Sequence, residues 1–295
     1  MTDLKFEFIE KDENSSADTQ SAKQTLKARA EDNYNEIERI IKFRILKRIK
    51  NFEKDICEIL GSGFEFAIAG NSLNKDVPND YDLYALGEFE FNLGKIKEKV
   101  EDSYGKVLSE TANALTVKLD DVVLQFCTYK YPTLKELVDT FDFAHIQIGA
   151  AFSTLLSDNG YYYHINLLDI YYNPNWEKAK LLETTFYTKP NVETSYPISS
   201  LLRSFKYKER GTFSGNSHIV SVFEILTQLL ERGFNSYSDF KDQLAAVDLR
   251  LLEKKESDAA YKFYKICEAR GLVKDTDDKE EKKEEEKEKE EEAPF

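Results

Sequence analysis

Asp80 and Asp82 stand two positions apart in AIAGNSLNKDVPNDYDLY, the segment from Ala67 to Tyr84. On a β-strand, positions i and i+2 project to the same face, so the two carboxylates point together. Like charges that close raise each other's pKa unless a cation sits between them. Mg²⁺ suits such a pair, because it takes hard oxygen ligands and also binds substrate phosphates. Just upstream, Gly70-Asn71-Ser72 follows a short apolar run. A small-residue turn of this kind can present backbone N–H groups and the Ser72 hydroxyl to a polyphosphate. A phosphate cradle and a metal-binding acidic pair on adjacent strands are what nucleotidyl transfer requires. A polar loop running into a strand accounts for the same letters without chemistry.

A second cluster lies in SLLRSFKYKERGTF, where Arg203, Lys206, Tyr207 and Arg210 step at three and four residues. That spacing puts them on one face of a helix. A tyrosine among cations can stack on a base while the cations meet phosphates. The plainer alternative is an amphipathic surface helix with Tyr207 half buried. His145 alternates within an apolar run and reads as a sheet-face residue. His164 and His218 have no partners in the sequence. No Ser-His-Asp or Cys-His arrangement and no Walker-type glycine loop is present.

The elements that must position these residues follow from periodicity. From about Lys23 to Leu60, Ile37, Ile40, Ile41, Ile45, Ile49, Phe52, Ile56 and Ile59 recur at mostly helical steps, ending at Gly61-Ser62-Gly63. The basic cluster Lys42, Arg44, Lys47, Arg48 and Lys50 shares that helix. Strands are expected at 64–69, 81–86, 106–110, 114–119 and 122–128, with Asp120-Asp121 as a solvent-facing turn. Helices are expected at 91–103 and 133–140. FDFAHIQIGAAF alternates like a strand, and 161–167 reads as another. Helical spacing then dominates, at 197–209, 218–232, 237–254 and 257–270, with Gly211, Gly233 and Gly271 as breaks. The expected fold class is α+β: a small mixed sheet with flanking helices, then an α-helical lobe. The expected divisions are a flexible arm at 1–24, an α/β domain at 25–167, a helical domain at 168–272 and an acidic low-complexity tail at 273–295.

With 295 residues and 41% hydrophobic content, the chain can fill a sizeable core. The net charge is −14, and the tail from Lys274 onward carries −6 of it. The remaining −8 argues against broad nonspecific nucleic-acid binding but leaves room for a local basic groove. The three cysteines, Cys57, Cys127 and Cys267, lack metal-ligand spacing and read as idle thiols of a reducing cytoplasm. No signal pattern or membrane-length apolar stretch occurs, so no membrane partner is expected.

The GNS turn followed by Asp-Tyr-Asp resembles the signature of the DNA polymerase β-type nucleotidyltransferase superfamily. The wording IAG…NDYDLY is most similar to the head domain of CCA-adding enzymes and bacterial poly(A) polymerases. LQF…TFDF resembles nucleotidyltransferase-like proteins of large viruses and bacteriophages. The resemblance implies that Gly70, Asn71 and Ser72 hold phosphate and that Asp80 and Asp82 hold Mg²⁺. It also implies that a helical lobe with Arg203, Lys206, Tyr207 and Arg210 contacts the incoming NTP. The transfer would move a nucleoside monophosphate to a hydroxyl of an RNA 3′ end, a protein or a small molecule. The sequence departs from the pattern at Asn71, at Asn74-Lys75-Asp76, which lacks the CCA-adding group's Arg, and at Gln125, where the superfamily has a third carboxylate. Asp142 is the candidate substitute, the alternative being an Asp that caps a helix-end turn. Without a third acid, the chain would be a catalytically inactive nucleotide-binding or interaction module.

Overall fold

The apolar run EFAIA forms strand β1 (Glu65–Ala69), whose alternate residues serve two different layers. Phe66 and Ile68 point to one face and Ala67 and Ala69 to the other, the period of two of an extended chain. A computed structural model of the chain describes residues 32, 35–36, 39, 46–75, 78–103, 105–111, 113–156, 162–192, 195–244 and 254–274. The arm at 1–24 and the tail from 275 lie outside the described residues.

The remaining strands are β2 (Tyr81–Leu86), β3 (Lys106–Glu110), β4 (Ala114–Leu119), β5 (Val122–Tyr131), β6 (Ile148–Leu156) and β7 (Tyr163–Tyr172). They form one seven-stranded mixed sheet in the order β3-β4-β5-β2-β1-β6-β7. Only the β2–β5 pairing is parallel. Helices α1 (Lys47–Leu60) and α2 (Leu93–Asp102) cover the face that carries Phe66, Leu83, Leu115, Phe126 and Phe152. Each such aromatic or aliphatic side chain, fully buried, is worth about 1.5–3 kcal/mol.

The opposite face is floored by small residues. Ala67 pairs with Ala151 and Ala69 with Gly149, and the short helix α3 (Leu134–Asp139) lies on them through Leu134, Leu137 and Val138. A Cβ on Gly149 would stand 2.8 Å from Leu134 Cδ1 and Val138 Cγ2, so glycine is what lets the helix sit this close. Thr133 caps α3 by accepting from Glu136 N–H at 3.2 Å.

Helices α4 (Pro174–Leu181), α5 (Pro197–Glu209), α6 (Ser217–Arg232), α7 (Tyr237–Gln243) and α8 (Lys254–Ala269) follow the sheet. Phe143 and Ile146 from the sheet side pack with Tyr187, Tyr207 and Ile225 and fasten this helical half to the strands.

Three expectations are redrawn. FDFAHIQIGAAF is not one strand: Ala144–Ile146 form a 3-10 turn and β6 begins at Ile148. Phe143 there joins the interlayer core, and Ala144 N–H is taken by Phe186 O, so the ladder starts later. The last strand runs on to Tyr172, past the expected division at 167, because β6 supplies partners as far as Ile148 opposite Tyr172. The helix expected over 237–254 is α7 as far as Gln243, with 245–253 outside the described residues.

Candidate active site

The sheet places Asp82 in the middle of a row that crosses four strands. It lies opposite Ala69 of β1 and opposite Gln125 of β5, and Gln125 lies opposite Thr116 of β4. Directly paired residues share a face, so Asp82, Gln125 and Thr116 project to the α3 side, while Tyr81 and Leu83 enter the other core. Asp80 precedes the strand and is exposed. Asp82 is half-buried, and burial, then the Asp80 carboxylate, push its pKa up to about 7 against the opposing pull of Lys206.

The β1 turn sits beside this pair. Gly70 adopts φ +87°, a conformation that favours glycine, and lets the chain enter the 3-10 turn Asn71–Asn74. Its N–H is committed to Ile148 O at 2.9 Å and is not offered to a ligand. Ser72 Oγ is buried without a hydrogen-bond partner among the described residues. Asn74 anchors the turn: its Nδ2 donates to His145 O at 2.5 Å and its Oδ1 accepts from Trp176 Nε1 at 3.1 Å. Trp176 is fully buried near the start of the helix Pro174–Leu181, so this bond ties the turn to that helix.

Helix α5 lies over the α3-side face. Arg203 donates from Nε at 3.1 Å and Nη2 at 2.6 Å to one oxygen of Asp142, which is only 5% exposed. Asp142 is therefore the counter-ion of Arg203 and ties the sheet side to α5. No group of three acids, His or Cys placed to hold a metal occurs among the described residues. Tyr207 is buried, T-shaped on Phe143 at 5.0 Å and on His145 at 4.4 Å. Burial and then Asp142 push its phenol up to about 12. It is a core residue rather than an exposed stacking surface. Lys206 is exposed, and its charge reaches Asp82.

A cleft of about 630 Å³ opens between the β1 turn, α4 and the end of α5. Asn71, Lys75, Asn79, His145, Lys180 and Arg210 are among its walls. Three cations against one acid, Glu183, give it a positive lining suited to phosphates. His145 Nδ1 is 2.7 Å from Thr185 Oγ1, and Nε2 has no partner among the described residues. Burial, with help from Lys180 and Arg210, depresses its pKa to about 3, so the ring is neutral at ordinary pH. The sequence singled out Asn71 and Arg210. It did not point to Lys75 or Asn79 beside the turn, nor to Lys180, whose approach to the turn depends on packing across more than a hundred residues, and it put His145 on a strand.

No family model matches the chain, and no curated protein does. Among solved structures it is similar to a tRNA-processing enzyme (apo form I) at 15% identity and a TM-score of 0.40, covering 78% of this chain and 59% of that one. It is similar to a tRNA nucleotidyltransferase complexed with a primer tRNA and an incoming ATP analog at 15% identity and a TM-score of 0.40, covering 76% and 62%. A third is a CCA-adding enzyme (apo form II), at 13% identity and a TM-score of 0.41, covering 80% and 56%. The chain thus spans roughly three fifths of the length of these structures. Likenesses this distant assign neither a family nor an activity.

Proposed function

We propose that the chain is a nucleotidyltransferase that moves a nucleoside monophosphate from an NTP to a hydroxyl acceptor. The observation that carries this reading is a juxtaposition. Asn79, the chain neighbour of Asp80, is one wall of a cleft that Asn71, Lys75, Lys180 and Arg210 also line, and the charge of Lys206 on α5 reaches Asp82. The donor set fits a hard divalent cation: the Asp82 carboxylate, raised first by burial and then by the Asp80 carboxylate, with the Gln125 amide in the same row. Asp80 and Asp82 would hold Mg²⁺, which supplies Lewis-acid stabilisation of the transferring phosphoryl group and activation of the acceptor oxygen.

The chain's own groups do the rest. Lys75, Lys180 and Arg210 neutralise phosphate charge, and the cleft walls exclude part of the water around it. Acceptors in keeping with this cleft are an RNA 3′ end, a protein hydroxyl or a small molecule.

Gln125 favours a second reading, an inactive nucleotide-binding module. A neutral amide opposite Asp82 cannot take the acceptor's proton as a carboxylate would. Incubation with α-phosphate-labelled NTPs, Mg²⁺ and pooled acceptors separates the two. The enzyme reading expects incorporation that falls by about 100-fold or more in Asp80→Asn and Asp82→Asn. Nucleotide binding without incorporation would establish the second reading.

A further inference from the structure

Helix α6 is turned inside out. Its buried side carries His218, Ser221, Gln228 and Arg232 alongside Ile225 and Leu229. Those polar groups are bonded inward: Ser221 Oγ accepts from Tyr187 N–H at 3.0 Å, and Gln228 Nε2 donates to Pro190 O at 2.6 Å, while Arg232 leaves only its Nε without a partner among the described residues. Arg232 makes a two-pronged pair with Asp239 at 2.7 and 2.8 Å. The outward side carries Ile219, Val220, Phe223, Leu226 and Leu230, with Phe223 65% and Leu230 62% exposed. A helix whose polar side is locked into the protein and whose apolar side faces out is arranged for a partner.

We infer that this stripe is the contact between two copies of the chain, paired antiparallel through α6 about a two-fold axis. The stripe is a ridge beside a groove of about 470 Å³, bounded by Pro190, Val192, Val220 and Phe223. A ridge next to its own groove is self-complementary under a two-fold, since each copy's ridge enters the other's groove. The charges agree with the antiparallel sense. Glu231 is exposed at the C-terminal end of the stripe, and Lys208 lies at the other end, where its charge reaches His218 in the first turn of α6. An antiparallel pairing brings Glu231 of one copy to Lys208 and to the positive end of the other copy's α6. The five apolar side chains offer on the order of 500 Å² per copy, and two such patches with a polar rim approach the roughly 1,200–2,000 Å² of a stable interface. The chain's own end from 275 is almost wholly charged and has no apolar face to lay on the stripe.

Sedimentation of the full chain is expected to show a dimer at about 10 µM. Phe223→Glu, at an exposed position that leaves the fold intact, is expected to weaken it at least about tenfold. Lys208→Glu and Glu231→Lys should each weaken the dimer, and the two together should restore it. A wild-type monomer throughout, a dimer indifferent to Phe223→Glu, or a double reversal no better than the singles would overturn the proposal.

Discussion

At Asp142 the same carboxylate supports two assignments with opposite consequences. As a metal ligand it would matter for activity and little for stability, since relieving a crowd of acids stabilises a fold. As the partner of Arg203 it is buried and its removal strands a guanidinium that remains partly hydrated. Breaking such a pair leaves a charge without compensation. Asp142→Ala should therefore cost about 2 kcal/mol, discounted because Arg203 retains solvent contact, and chemical denaturation will register the loss. Retained stability together with lost nucleotide transfer would instead return Asp142 to the metal site. His145 shows how far a residue's type can mislead. Alternation in its neighbours suggests a strand, but the 3-10 turn puts its ring on Tyr207 and makes the residue part of the cleft wall.

At the scale of elements, the close approach of α3 to the sheet is the feature most dependent on single small residues. Gly149→Ala introduces a Cβ 2.8 Å from two side chains and 3.3 Å from Ala69 Cβ, forcing α3 outward. Over-packing of this kind should destabilise by about 1–3 kcal/mol, read as a lower melting temperature. The strands β1 to β5, α3 and helix α5 were legible because each has strong local periodicity bounded by Gly, Asx or Thr signals, as at Gly61, Asp120 and Thr133. Helix α4 was not anticipated, since its short apolar content gives almost no periodicity. Its place is set by Trp176 reaching Asn74, 102 residues away. The spacing of Asp80 and Asp82 is a local feature of the sequence, whereas the cleft walls come from four separate segments that only the tertiary fold assembles.

For the whole molecule, an α+β sheet carries acids on one face and a helical half brings cations over them. No helix among the described residues is long and apolar enough to cross a membrane. The charge arrangement makes folding and ligand binding respond to pH together. The folded pKa of Asp82, about 7, lies above its ordinary 3.8. Its burial therefore favours the fold when protonated, fully so below about pH 4, and the advantage is lost as pH rises through 7. Bound Mg²⁺ and NTP reverse that loss by favouring the ionised carboxylate. The most direct measurement is the melting temperature with and without Mg²⁺ and NTP, at about pH 6 and about pH 8, in wild type and Asp82→Asn. The account predicts that Mg²⁺ and NTP together raise the wild-type value, more at the higher pH, and that Asp82→Asn removes most of the rise. An equal rise in Asp82→Asn, or none in the wild type at either pH, would contradict it.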